Sequence, residues 1–269
     1  MNDPLRRAVS KPLIIGHRGA SAIAPENTLA AFERAIEDGA DGIEFDVRLA
    51  RDGLPVVIHD ATLRRTGLRK GSIANLSSSE LAQVDVGTWF NRRRPALANP
   101  AYSRERISTL AAVFELMKER RSILYVEMKC VAQETNALAA AVVRLVRAHS
   151  LINRVVVESF ALSSIAEVKR LAPEIRTAAL FEPKLSRPHP SARRIIEAAL
   201  RVGADEIALH RTLATRRTIE AINRLGLKVV VWTVDGPSWA GRGLDLGVHA
   251  LITNKPAQMR ARLEQLPGS

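Results

Sequence analysis

Gly42-Ile43-Glu44-Phe45-Asp46-Val47 and, after three more residues, Arg51-Asp52-Gly53-Leu54-Pro55-Val56-Val57-Ile58-His59 decide the fold. In the first run Ile43, Phe45 and Val47 alternate with Glu44 and Asp46. That period of two belongs to a strand, and it turns both carboxylates to one face. An Asp-Gly pair between two strand-like runs signals a hairpin, so the chain is expected to fold back antiparallel at Asp52-Gly53. Read as a two-residue turn, the hairpin pairs positions whose numbers sum to 105 and sets His59 directly across from Asp46.

Outward from this hairpin, apolar β-branched runs alternate with helical patterns to both ends of the chain. Strands are expected at Leu13 to Gly16, Gly42 to Val47, Ile123 to Met128, Arg154 to Glu158, Thr177 to Phe181, Glu206 to Leu209, Lys228 to Thr233 and Ala250 to Thr253. Between them, sets such as Leu29, Phe32, Ile36 and Leu138, Val142, Leu145, Val146 recur at three-to-four spacing, which gives each helix one buried stripe. Eight strands alternating with helices predict an α/β chain, a (β/α)8 TIM barrel with a hairpin and a small helical insertion after strand two. The whole of residues 1–269 is read as a single domain, with the insertion at about 60–108 and a short helix in it near Ser77 to Ser79. The last helix opens at Pro256, whose missing N–H costs nothing in the first turn.

Composition narrows the classes. No apolar run approaches the roughly 20 residues that cross a bilayer, so a membrane span is excluded. Met1-Asn2-Asp3-Pro4-Leu5-Arg6-Arg7 leads into too short an apolar stretch for a secretory signal, and the expected location is the cytoplasm. The single cysteine, Cys130, allows no internal disulfide and reads as a packed strand-end thiol. A formal charge of +12 favours an anionic partner: a phosphorylated small molecule, a membrane surface or nucleic acid. Part of it is concentrated between Asp60 and Ser108, where nine arginines and lysines face four carboxylates.

In a parallel barrel, catalytic groups collect at the carboxyl ends of the strands. Those ends carry His17 and Arg18, then Glu44 and Asp46, then Glu127 and Lys129, with His59 returned by the hairpin. Three converging carboxylates, Glu44, Asp46 and Glu127, repel one another unless a cation lies between them, and an all-oxygen set selects a hard divalent ion, Mg2+ or Ca2+. Two histidines beside it supply groups that take and give protons near neutral pH. Arg18 offers a bidentate fork for phosphate oxygens and Lys129 a point charge. Either cation serves equally to neutralise a barrel-end carboxylate. Asn27 or Thr28 suits the N-cap of the first helix, and Glu26 suits its positive end.

His17-Arg18-Gly19, Pro25-Glu26-Asn27-Thr28, Gly39 to Val47, Asp52-Gly53 and Val56-Val57-Ile58-His59-Asp60 together resemble the glycerophosphodiester phosphodiesterase family. The likeness continues through Gly87-Thr88-Trp89-Phe90, Val126-Glu127-Met128-Lys129, Ser159-Phe160, Trp232-Thr233-Val234 and Thr253-Asn254-Lys255-Pro256. The resemblance implies a barrel enzyme that hydrolyses compounds such as glycerophosphocholine or glycerophosphoethanolamine to glycerol 3-phosphate and an alcohol, through a cyclic phosphate. It implies His17 and His59 as acid and base, and Glu44, Asp46 and Glu127 as metal ligands. It also implies Arg18, Lys129, Glu26 and Asn27 as phosphate- or substrate-binding residues. Trp89, Phe90 and Trp232 are expected to wall the site or to pack beneath it. The family's settings are glycerol and lipid metabolism.

The chain departs from the family pattern at Ser108, where proline is common, and at His249, where aspartate is usual. Glu158, His210 and Arg211 are less typical strand-end residues that bear on headgroup preference. Competing readings are a lysophospholipase D-type phosphodiesterase with peripheral membrane contact, a noncatalytic phosphate sensor, and a nucleic-acid-binding barrel. No nucleic-acid-binding module is recognisable, so a small-molecule substrate is expected, on a monomer or homodimer.

Overall fold

The computed structural model describes residues 11–183 and 190–266. The stretch Met1 to Arg7, on which the cytoplasmic expectation leans, lies outside the described residues. Among the described residues nine strands form: β1 (Leu13–His17), β2 (Gly42–Leu49), β3 (Pro55–Val57), β4 (Ile123–Met128), β5 (Val155–Ser159), β6 (Arg176–Phe181), β7 (Glu206–His210), β8 (Lys228–Trp232) and β9 (Ala250–Thr253). All except β3 run parallel, and the pairing of β1 with both β2 and β9 closes them into an eight-stranded ring. Each ring strand leads to a helix: Leu29–Glu37, Leu110–Met117, Thr135–Ala148, Leu162–Leu171, Ala192–Arg201, Arg216–Asn223, Ser238–Asp245 and Pro256–Glu264. The architecture is the expected (β/α)8 barrel.

Strand periodicity distributes the core. Ile15, Tyr125, Val156, Ala208, Val230 and Ile252 point inward and fill the barrel. Their neighbours, such as Phe45, Val126 and Val157 on one side and Ile207, Val231 and Leu251 on the other, face the helices in two larger clusters. Inward positions that fall near the carboxyl ends of the strands are polar instead, and these build the site. At the opposite end, Glu206 is buried and accepts the Tyr125 hydroxyl at 2.8 Å, with Arg176 and Lys228 at 3.7 and 4.0 Å.

The hairpin forms one residue out of the expected register. Val47 pairs with Val57, Arg48 with Val56 and Leu49 with Pro55, so Asp46 stands across from Ile58 and not from His59. The loop holds three residues, Arg51 to Gly53, closed by Ala50 and Leu54, and Gly53 takes the left-handed conformation (φ 76°) that such a loop needs at its last position. Asp52 accepts from the backbone N–H and hydroxyl of Ser78, at 2.9 and 2.7 Å, tying the hairpin tip to the insertion.

The insertion runs from Ile58 to Thr109 and carries short helices at Ser78–Leu81 and Thr88–Arg93. The first has Ser77 and Glu80 as a reciprocal capping box, in agreement with the expected start. Leu63, Ile73, Leu81, Val84, Val86 and Ile107 pack with Val56 and Ile58 as a core of their own. Among the described residues, no helix is long and apolar enough to cross a membrane.

Candidate active site

His17 ends β1, and its orientation comes from the far end of the chain. Its Nδ1 meets Asn254 Oδ1 at 2.7 Å, while Asn254 Nδ2 donates to Asp235 Oδ2 at 2.8 Å. The amide oxygen is therefore the acceptor, the imidazole proton sits on Nδ1, and Nε2 keeps its lone pair. That Nε2 lies 3.8 Å from Glu44 Oε2. Burial, and then the charge of Arg18, lower the imidazole pKa to about 4, which keeps the ring neutral at neutral pH.

The turn after His17 is tight. Arg18 (φ 53°) and Gly19 (φ 82°) both adopt left-handed geometry, and a side chain at Gly19 would strike the Ala31 backbone at 2.5 Å. The turn aims the Arg18 N–H at Glu44 Oε2 (3.1 Å) and the guanidinium at Asp46 Oδ2 (Nε, 3.1 Å) and Glu26 Oε1 (Nη1, 2.8 Å). Glu26 is also clasped by both terminal nitrogens of Arg65, each at 2.7 Å. Its carboxylate therefore holds two arginines in place.

Thr28, not Asn27, caps the first helix, accepting from Ala31 N–H at 3.2 Å. Asn27 (φ 58°) is buried and spends its amide on Asp46: Nδ2 donates to Oδ2 at 2.8 Å and Oδ1 accepts from the Asp46 N–H at 3.2 Å.

Glu44, Asp46 and Glu127 are buried, and one oxygen from each lies within 4.8 Å of the others. Lys129 Nζ pairs ionically with Glu127 Oε1 at 2.7 Å and Asp46 Oδ1 at 3.3 Å, but neither oxygen, nor Glu44 Oε1, has a hydrogen-bond partner. Burial and the neighbouring Asp46 and Glu127 charges push Glu44 well above the usual carboxylate range; burial and Asp46 push Glu127 up to about 7. Asp46 is also penalised by burial, but Arg18 and Lys129 outweigh that and hold it low. Three crowded oxygens without a hydrogen-bond partner, two of them facing only the Lys129 ammonium, and two of the carboxyls reluctant to ionise: these are the donor set and electrostatics that a hard divalent cation relieves, so the residues fit such an ion.

His59, beyond the end of β3, is positioned by contacts outside the hairpin ladder. Arg48 Nε donates to its carbonyl at 2.7 Å and Arg48 Nη1 to the Lys129 carbonyl at 3.2 Å, so one guanidinium ties the hairpin to the end of β4. The ring Nδ1 is 2.7 Å from Asp60 Oδ1, and Asp60 Oδ2 accepts from Arg65 Nε at 2.7 Å. Burial, with Arg18 and Lys129, lowers the His59 pKa below its ordinary value against the opposing pull of Asp46 and Asp60.

A small cavity of about 140 Å³ gathers His17, His59, Glu44, Glu127, Lys129 and Glu158, walled by Phe160, Leu180, Trp232 and Ile252. Glu158, next to last in β5, lies beside Glu127, buried, with Oε2 unpartnered and no cation paired to it among the described residues. Trp232 stacks edge-on with Phe160 and His210, at 5.5 and 5.2 Å between ring centres, and its buried Nε1 has no partner. Trp89 is not in this cavity: it lines a second cleft with Arg18 and Glu26, while Phe90 is almost wholly buried beneath it. Cys130 packs against the Ser164 hydroxyl at 3.1 Å.

Every residue expected at the site from the sequence is thus at the carboxyl end of the barrel. Arg48, Asp60, Arg65, Asp235 and Asn254 were not assigned roles. Asp60 and Asn254 fall within the family-like runs Val56 to Asp60 and Thr253 to Pro256, and Arg65 within the basic stretch from Asp60 to Ser108.

A closed (β/α)8 barrel bearing a buried carboxylate triad beside two histidines and an arginine has the parts that acid–base hydrolysis at a hard cation needs. The sequence pattern of the Glycerophosphoryl diester phosphodiesterase family matches residues 17–258, and the chain belongs to that family. It is accordingly an enzyme, a phosphoric diester hydrolase. A glycerophosphodiester phosphodiesterase of Caldanaerobacter subterraneus subsp. tengcongensis is 33% identical over 246 residues, 91% of this chain and 95% of the relative. One from Bacillus subtilis is 30% identical over 251 residues, 91% and 84% of the two chains. Among solved structures, an Oleispira antarctica phosphodiesterase in complex with its product sn-glycerol-3-phosphate superposes with a TM-score of 0.84 at 28% identity, covering 95% of this chain and 98% of that one.

Proposed function

We propose that the protein hydrolyses glycerophosphodiesters to glycerol 3-phosphate and an alcohol by histidine acid–base catalysis at a divalent cation, Mg2+ or Ca2+, through a cyclic phosphate. The observation that carries this reading is the fixing of both imidazoles through Nδ1, by Asn254 and by Asp60, in the cavity that Glu44 and Glu127 of the triad line. Glu44, Asp46 and Glu127 would hold the cation, which when bound supplies positive charge that acidifies a nearby hydroxyl and offsets charge on the phosphoryl group.

The two histidines differ in what they can stabilise. His17 is backed by a neutral amide and kept neutral, which suits a base; His59, though burial lowers its pKa, is backed by the Asp60 carboxylate, which offsets part of that and makes it the better placed of the two to carry a proton as acid. The glycerol hydroxyl next to the phosphate gives its proton to His17 Nε2 and its oxygen bonds to phosphorus. The bond from phosphorus to the alcohol breaks, and the alcohol leaves with a proton from His59 Nε2. Water then opens the cyclic phosphate with the roles reversed. Arg18 and Lys129 stabilise the charge on the phosphoryl oxygens. Glu26 holds Arg18, Asn27 holds Asp46, and Trp232 walls the glycerol side. Residues 1–269 act in this scheme as one catalytic unit, the insertion supplying Arg65 to Glu26 and Asp60.

The test is release of glycerol 3-phosphate from chelator-treated protein given glycerophosphoethanolamine or glycerophosphocholine, with Mg2+, Ca2+ or neither restored. Release only with metal is the expected result. Turnover undiminished after chelation refutes the metal role, and turnover confined to long-chain lysophospholipids replaces the substrate.

A further inference from the structure

Two cavities meet at His17 and Arg18, and their charges are opposite. The smaller, about 140 Å³, holds Glu44, Glu127, Glu158 and Glu182 against Arg18 and Lys129. The larger, about 710 Å³, holds six cations against Glu26, Asp38 and Asp235. Its carboxylates are already engaged. Glu26 is taken by Arg18 and Arg65, Asp38 by Arg34 at 2.8 Å, and Asp235 by the Thr253 hydroxyl and both N–H groups of Asn254. Arg93, Arg94 and Lys255 have no carboxylate partner among the described residues. They converge from separate elements, the insertion helix Thr88–Arg93 with the residue after it and the N-cap of Pro256–Glu264.

On the phosphodiesterase reading above, the phosphoryl group sits at the junction beside His17 and Arg18. The glycerol, which must reach the triad, takes the small cavity, and the departing alcohol takes the large cleft. We infer that this cleft is a subsite for an anionic alcohol, one bearing a phosphate or carboxylate that Arg93, Arg94 and Lys255 neutralise. Guanidinium groups bind such oxyanions through paired N–H donors. A quaternary ammonium is poorly served in the same place: three uncompensated cations repel it. The one partly open aromatic ring there, Trp89, already carries the Arg65 guanidinium 5.7 Å from its centre.

The experiment compares glycerophosphoinositol 4-phosphate, whose alcohol is anionic, with glycerophosphoinositol, whose alcohol is neutral, at fixed ionic strength and saturating divalent metal, for the wild type and R93S/R94S. The wild-type ratio of kcat/KM, anionic over neutral, is expected to exceed one and to fall about tenfold in the variant, chiefly through KM. A wild-type ratio of one or less, or a ratio the variant leaves unchanged, overturns the subsite. Calorimetric titration with inositol 4-phosphate alone gives a second reading that needs no turnover. Binding that the variant weakens supports the subsite even if every diester survives intact, a result that would sink the phosphodiesterase reading instead. No binding by the wild type overturns the subsite whatever the turnover.

Discussion

Replacing Asn27 by alanine strips Asp46 of two hydrogen bonds at once. The amide donor at 2.8 Å bonds a carboxylate, worth about 1.5–3 kcal/mol, and the carbonyl that accepts from the Asp46 N–H adds about 0.5–1.5 kcal/mol. Alanine also tolerates the left-handed backbone at φ 58° less well than asparagine, by about 1 kcal/mol. Asp46 retains Arg18 and Lys129, which softens the loss. Urea unfolding of metal-free protein should therefore place N27A about 2–4 kcal/mol below the wild type. N27G, free of the backbone penalty, should lie about 1 kcal/mol above N27A. Because a loosened Asp46 presents its oxygens less sharply, metal affinity by calorimetry should fall about 10- to 100-fold in both variants. Stability of N27A within about 0.5 kcal/mol of the wild type, together with unchanged metal binding, would refute the reasoning.

Three further outcomes are expected. H17A and H59A should each lower kcat by about 10²- to 10⁴-fold while retaining the far-ultraviolet spectrum, and E127A should in addition demand more metal for half-maximal rate; a near-wild-type rate in either histidine variant removes the acid–base assignment. Y125F, at the end of the barrel away from the site, should cost about 1.5–3 kcal/mol in urea unfolding with kcat unchanged, because Glu206 loses its hydroxyl donor; an unchanged midpoint contradicts this. Burial, with Lys228 and Arg176 nearby, lowers His249 to about 4 from an ordinary 6.5, so the unfolded chain binds this proton first and stability is lost as pH falls from about 6.5 to about 4. After allowance for solvent screening, the wild type should lose on the order of 1–2 kcal/mol more than H249N across that window, and parallel stability profiles for the two would be the contrary result.

The barrel was legible because each strand is a dense apolar run, and even the shifted fifth strand moved by one residue. Parity along β2 and β4 brought Glu44, Asp46 and Glu127 to one place, since residues two apart share a face whatever the strand's surroundings. His59 was harder. Asp52-Gly53 announces a turn, but whether the loop holds two residues or three depends on where Asp52 finds a partner, and Ser78 is 26 residues away. Arg48, Asp235 and Asn254 act through side-chain hydrogen bonds between segments separated along the chain, which leave no periodic trace. Asn27 was legible as polar and near the site; its left-handed backbone, which makes it a brace for Asp46, was not.

His17 receives its orientation from Asn254, 237 residues further along the chain and just past the strand that seals the ring. The site is therefore complete only once the chain has run through its last strand. A ribosome-bound chain lacking β9 already contains Glu44, Asp46, Glu127 and His59, yet it lacks the Asn254 oxygen that His17 Nδ1 meets. Enzymatic turnover thus doubles as a closure sensor: during refolding it returns no sooner than the β1–β9 seam, and two fragments split within the chain regain it only when they zip that seam together.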